Sequence, residues 1–243
     1  MSNERMFTQL TERLLREKRV TGFYLQHRAE PPTAKEEQSM DIAFSGKQAA
    51  KGDGKIFLWH DWLVESLFPT TLYKQNGCDL RRLAKDKRVW DIAGFSGNWN
   101  NSFGRMARPR DKLPEGFVLW MLDRWAGKYR GMPQYYFNVE EPEWVCEPLA
   151  GRPDIPKTSR TAVSCVMNYG FHWLNDEAHI SVILRHLNWS HGWGDVYGGD
   201  ALLTALCKEV GCPKGNVTIF ANSASMDEPK IAKAYLKEMQ GAK

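Results

Sequence analysis

Residues 164–227 read SCVMNYGFHWLNDEAHISVILRHLNWSHGWGDVYGGDALLTALCKEVGCPKGNVTIFANSASMD. Cys165 opens an apolar, aromatic run, and HISVILR, which ends in Arg185, is a second β-like run. Asn175–Asp176 lies between them and is a hairpin-type dipeptide, so the two runs are expected to pair antiparallel and bring Cys165 beside Arg185. The Trp-, Gly- and Asp-rich segment NWSHGWGDVYGGD is expected to be a loop, and ALLTALCKEV the amphipathic helix after it. A thiol acts as a nucleophile only as its thiolate, which a nearby cation or dipole favours. Arg185 is such a cation, and the unit points to a nucleophile beside an anion site. The other reading of Cys165, a buried structural thiol, is the usual role of a cysteine and stays open here.

His172, His179, His186 and His191 fall within the same stretch. No pair of them has the spacing of a metal motif and no cysteine clusters with them, so no metal is expected. The glycines at 192, 194, 198 and 199 fit neither GxGxxG after a strand nor GxxxxGK[ST], which excludes phosphate loops of those kinds.

Outward from this block, residues 5–18 place Met6, Leu10, Leu14 and Leu15 at helical spacing. GFYLQH is a short strand, RAEPPTAKEEQS a loop, and residues 39–50 are ambiguous. In IFLWHDWLVESLF, Leu58, Trp62, Leu63 and Leu67 recur at helical spacing with Glu65 inside the apolar pattern. That carboxylate is either a surface group on the far side of the helix or a functional one. LYKQNGCDLRRLAKDKRVWDI holds a turn at Asn76–Gly77 and a short basic helix. GFSGNWNNSFGRMARPRDKLP is expected to be a long irregular loop, FVLWMLDRWAGKYRG a helix ended by glycine, and QYYFNVEEPEWV a strand. EPKIAKAYLKEMQ closes the chain as a helix. Irregular alternation of strands and helices, without repeats or a clean boundary, leads to one α+β domain over residues 1–243.

The chain is 42% hydrophobic and 26% charged, ordinary for a soluble protein, and a net charge of +4 carries no polyanion signature, so no nucleic-acid partner is expected. The basic runs RRLAKDKR and ARPRDK are expected to be solvated faces. Ten tryptophans favour broad flat contacts, at a dimer interface or a ligand cleft. No apolar run is long enough for a membrane span, and the polar N-terminus is unlike a signal peptide. The five cysteines, Cys78, Cys146, Cys165, Cys207 and Cys212, are odd in number and without short paired spacing, which argues against a disulfide framework and for a reducing, cytoplasmic setting.

The block resembles the thymidylate synthase and pyrimidine nucleotide hydroxymethylase superfamily. That family carries a phosphate-binding arginine at the spacing seen here from Cys165 to Arg185, with Phe171, an Asn-Asp turn and Gly192 in matching places. The helix ALLTAL, a Pro-Lys-Gly turn and a short strand follow in the family's order. Upstream, VESLF looks like the segment with the active-site glutamate (Glu65), VWDI like the Trp-Asp segment (Trp90), NNSFGRMAR like the Asn/Tyr-Gly loop (Phe103), and YRG like the arginine that reaches the partner's phosphate (Arg130). The departures are as specific. Ser164 and Val166 flank the cysteine where the family has Pro and His, and Gly170 replaces a glutamine near the base. His186 replaces a serine, Asn188 the aspartate that contacts the pterin, and Val196, with Asp195 beside it, the asparagine that reads the pyrimidine edge. Phe103 replaces a tyrosine, and Ser225 and Asp227 replace the His and Tyr that hold the sugar.

The resemblance implies a large mixed β-sheet flanked by helices, dimerising through the sheet. It implies C5 hydroxymethylation or methylation of a pyrimidine nucleoside monophosphate through a covalent Cys165–C6 adduct. Glu65 would serve as proton shuttle, and 5,10-methylenetetrahydrofolate as one-carbon donor. The substrate contacts so implied are Arg185, Arg130, His186, Asn188, Asp195, Ser225, Asp227, Trp90 and Phe103. The rewritten shell keeps a second possibility open: a repurposed relative that binds a nucleotide or a protein without C5 transfer.

Overall fold

A computed structural model describes residues 6–45, 48–50, 56–92, 102–126, 134–138 and 166–241; Cys165 and Arg130 lie outside them. In chain order the first elements are α1 (Met6–Glu17), β1 (Arg19–Arg28), α2 (Ala34–Ala43), β2 (Gln48–Ala50), β3 (Ile56–Leu58), α3 (Trp59–Leu67), α4 (Thr70–Gln75), α5 (Leu80–Lys85) and α6 (Lys87–Ile92). There follow α7 (Ser102–Ala107), α8 (Phe117–Ala126), β4 (Gln134–Asn138), β5 (Val166–Leu174), β6 (Glu177–Leu184), β7 (Leu187–Asn188), α9 (Trp189–Val210), β8 (Lys214–Ser225) and α10 (Pro229–Gln240).

The hairpin expected at Asn175–Asp176 forms. Both residues are left-handed, at φ 52° and 62°, a pairing that matches the twist of the strands it joins. β5 and β6 then pair antiparallel, with Tyr169 opposite Val182 and Val166 opposite Leu184. The sheet runs β1-β8-β6-β5-β4, with β7 also on β8. Only β6 and β7 run parallel to β8. A parallel pair needs a crossover, and α9 supplies the one from β6 to β8.

Alternation along β6 buries Ala178, Ile180, Val182 and Leu184, and the register adds Val217, Ile219 and Ala221 from β8 and Tyr169 and Phe171 from β5 to the same face. Helices cover it. Phe117 of α8 packs on Phe137 and Phe171, with ring centroids 5.1 and 5.8 Å away. The opposite face carries Tyr24 and Phe220, 48% and 41% exposed, with ring centroids 5.0 Å apart. On that face Arg28 holds Glu177 in a two-pronged ion pair at 2.6 and 2.7 Å.

Three expectations are corrected. The first concerns NWSHGWGDVYGGD, which is not a loop: it forms the N-terminal part of the 22-residue helix α9. Its glycines serve close packing. A Cβ on Gly194 would sit 2.6 Å from the Leu63 carbonyl oxygen, and one on Gly198 would sit 2.8 Å from the Leu67 Cβ. The contact with α3 thus offsets the low helix propensity of glycine. The second concerns residues 34–38, which belong to α2 and not to a loop. Thr33 and Glu36 make a reciprocal capping box, and the fully buried Glu36 also accepts from the Tyr197 hydroxyl at 2.8 Å. The third concerns SFGRMA, expected within an irregular loop, which forms α7 and buries Phe103 edge-on to Phe68 at 5.2 Å.

The tryptophans serve the core more than the sequence suggests. Trp125, Trp189 and Trp193 are fully buried. Trp189 stacks on Phe44 and donates its indole N–H to Thr11 at 2.8 Å, fixing α1 against α9.

Candidate functional site

Four polar side chains far apart in sequence meet where β6, β7 and β8 end. Arg185 follows the last residue of β6 and is exposed, and His186 is next. The parallel register sets Asn188 of β7 beside Ser225 of β8. His186 Nδ1 lies 2.6 Å from the Ser223 hydroxyl, and its Nε2 lies 2.9 Å from both Asn188 Oδ1 and the Ser225 hydroxyl. Ser225 also donates to Asn188 Oδ1 at 3.2 Å. An amide oxygen can only accept, so Nε2 carries the proton and, in the neutral ring, Nδ1 accepts from Ser223. The tautomer and plane of the ring are thereby set. All four residues are half-buried, so the cluster is partly open to solvent at the strand ends.

Asp227, two residues past β8, accepts from the Ser190 backbone N–H at 3.0 Å and from its hydroxyl. It therefore ties the first turn of α9 to the end of β8. Negative charge at a helix N-terminus is favourable.

A second polar group lies under α9. Asp195 keeps part of its surface in water, but burial pushes its carboxyl up to about 7. Its charge favours the protonated phenol of Tyr169 on β5, and the Arg105 charge of α7 opposes that. The Tyr169 hydroxyl is fully buried, and burial raises its pKa far above the ordinary phenol range.

Glu65 is 3% exposed, so the surface reading of this carboxylate is wrong. Its Oε1 accepts from the Thr71 backbone N–H at 2.6 Å, the Thr71 hydroxyl at 2.8 Å and the Thr70 hydroxyl. These donors open α4. The neighbours of Glu65 on α3 reach the other walls: Leu63 meets Gly194 of α9, and Phe68, just past the helix, meets Phe103 of α7. A buried, oriented carboxylate of this kind can hold water and pass a proton.

The remaining expected site residues are scattered. Trp90 donates its indole N–H to the Ala84 carbonyl at 2.9 Å, a contact between neighbouring helices. Phe103 is fully buried among apolar rings. For Cys165, β5 is described from the next residue, Val166, which pairs with Leu184, the residue before Arg185.

Ser223, Ser190 and Tyr169 are the members that sequence reasoning missed. Period-two alternation from Ser225 would have found Ser223; Ser190 and Tyr169 gave no signal, because their partners lie 37 residues away or on other elements.

A scan against protein-family models matches none of them to this sequence, and a search of curated proteins matches none either.

Proposed function

We propose that the chain is a divergent member of the thymidylate synthase and pyrimidine nucleotide hydroxymethylase superfamily that modifies C5 of a pyrimidine nucleoside monophosphate. The observation that carries this reading is the meeting of His186, Asn188 and Ser225. The resemblance alone placed these residues at substrate and folate positions, and they come from segments almost forty residues apart in sequence yet share hydrogen bonds. The mixed α+β sheet and the buried Glu65 support it further.

In this reading the Cys165 thiolate adds to C6 of the base. The C–S bond forms, and the C5–C6 π pair moves onto C5 and the C4 carbonyl as an enolate or enamine. Glu65, through water, delivers a proton to C5 and removes one from it, and expulsion of the thiolate restores the double bond. Arg185 binds the phosphate, with Arg130 of a second copy across the sheet interface. The resemblance also implies 5,10-methylenetetrahydrofolate. Asn188, at the pterin position, does not fit that role: it is uncharged and its amide oxygen is already engaged by His186 and Ser225. No step is therefore routed through folate.

Exchange of the C5 hydrogen with solvent tests the reading, because it needs only thiolate addition and a proton shuttle. Incubation with dUMP, dCMP, UMP and CMP in heavy water is expected to label C5 of one of them. Binding of a nucleotide without exchange would sink the enzyme reading. Arg185→Ala is expected to weaken a nucleotide by about 1.5–3 kcal/mol and the matching nucleoside much less, by calorimetry; equal losses would remove the phosphate role.

One observation favours the second reading, a repurposed relative that binds a nucleotide or protein without C5 transfer. His186, Asn188, Ser223 and Ser225 satisfy one another without a ligand. The exchange experiment separates the two.

A further inference from the structure

At the far end of α9 from His186, two cysteines that the sequence left unpaired are brought together by the helix terminus. The last turn ends in a left-handed Gly211 at φ 71°. The Gly211 N–H donates to the Cys207 carbonyl at 2.9 Å, and the Cys212 N–H donates to the same oxygen at 3.1 Å. The second bond is the wrapped, six-residue closure that folds the residue after the glycine back onto the last helical turn. The two side chains that face each other across such a closure are commonly apolar; here they are Cys207 and Cys212. Neither is in a disulfide. Cys207 is 5% exposed and gives its S–H to the Pro213 carbonyl at 3.6 Å, whereas Cys212 is half-buried and reachable from solvent.

We propose that Cys207 and Cys212 are a dithiol modification site that a low-molecular-weight disulfide of the glutathione class oxidises, bridging the last turn of α9 to the entry of β8. The two thiols have unequal roles. The neighbouring Cys212, and then burial, push the Cys207 thiol up, and Cys212 is the more exposed of the two, so Cys212 is the one that attacks first. Its thiolate displaces one half of the small disulfide RSSR, giving Cys212–S–S–R and releasing RS⁻, which takes up a proton. Cys207 then loses its proton to solvent, attacks the Cys212 sulfur and releases the second RS⁻, which is protonated in turn. Two protein thiols lose two electrons and two protons, and RSSR becomes two RSH. The site is separate from the His186 cluster, since the 18 residue steps of helix from Trp189 to Cys207 set the two about 27 Å apart.

The test uses the whole protein incubated with oxidised glutathione at mildly alkaline pH, then alkylated and digested with trypsin. Cleavage after Lys208 turns an intramolecular bridge into two linked peptides, one ending in Cys207–Lys208 and the other containing Cys212. The expected result is that linked pair, with loss of both thiols from the alkylated pool. Cys207→Ser is expected to stop at a lasting glutathione adduct on Cys212, while Cys212→Ser leaves Cys207 unmodified. Wild type that stops at an adduct on Cys212 with Cys207 still alkylatable overturns the proposal. So does a folded protein in which neither thiol reacts although both do after denaturation. C5 exchange plays no part in the readout, so the outcome is independent of the proposed function.

Discussion

Cys165 and Glu65 carry different burdens in the proposed chemistry, and their variants are expected to separate. Cys165→Ser replaces a thiol with a hydroxyl whose proton is much harder to remove, so C5 exchange is expected to fall by orders of magnitude while nucleotide binding holds. Glu65→Gln keeps an acceptor for Thr71 but cannot carry a proton, and exchange is expected to slow by about 10²–10⁴. Deuterium incorporation followed by mass spectrometry measures both, and an unchanged Cys165→Ser rate would remove the nucleophile. Asp195 makes a pH prediction. Its carboxyl is raised from 3.8 to about 7 in the folded protein, so the folded state holds the proton more tightly than the unfolded chain does. The favourable contribution is complete below the unfolded value and is lost as pH rises through about 7. Asp195→Asn is therefore expected to gain stability over wild type between pH 4 and 8, by on the order of a few kcal/mol. Denaturant midpoints at the two pH values measure it, and a constant difference would refute it.

At the scale of elements, α9 is decided by the space between it and α3. Two effects oppose each other in Gly194→Ala. The helix gains about 1 kcal/mol of propensity, but the new Cβ meets the Leu63 backbone at 2.6 Å, where nothing flexible can give way. Overpacking of this kind costs roughly 1–3 kcal/mol and here exceeds the gain. Gly199→Ala is the control: its Cβ would lie 3.1 Å from a Val217 methyl, a contact that small shifts can relieve. Chemical denaturation is expected to rank Gly194→Ala below Gly199→Ala and wild type. Equal midpoints would mean that α3 does not press on α9. Glu36 gives the same lesson beside the same helix. Its carboxylate serves both the Thr33 cap and the Tyr197 hydroxyl of α9, so a helix begins where two prolines suggested only a loop.

For the whole molecule, the two faces of the sheet differ. One face is packed under helices, while the other carries the exposed pair Tyr24 and Phe220 near the ion pair of Arg28 and Glu177. The proposed function places a second copy against this face, where it would cover Tyr24 and Phe220. Light scattering is expected to give a dimer at micromolar concentration. Phe220→Glu, which adds a charge at that surface without touching the buried face, is expected to shift it to monomer. A monomeric wild type would remove the dimer. Among the described residues no helix is long and apolar enough to cross a membrane.

What the sequence by itself determined is local and periodic. Asn175–Asp176 announced a hairpin because two successive left-handed residues are cheap for that dipeptide, and the β-like run HISVILR announced the strand β6. The terminal helices followed from apolar spacing for the same reason: each period is written in neighbouring residues. Tertiary structure alone decided the remainder. The glycines of α9 look like breakers until Leu63 and Leu67 stand against them. Glu65 stays open between a surface charge and a functional one until the start of α4 folds over it. Cys207 and Cys212 look unpaired until the chain reverses at Gly211. His186, Asn188, Ser223 and Ser225 carry no common motif; a parallel register between β7 and β8, set only when the sheet closes, puts them within hydrogen-bond reach.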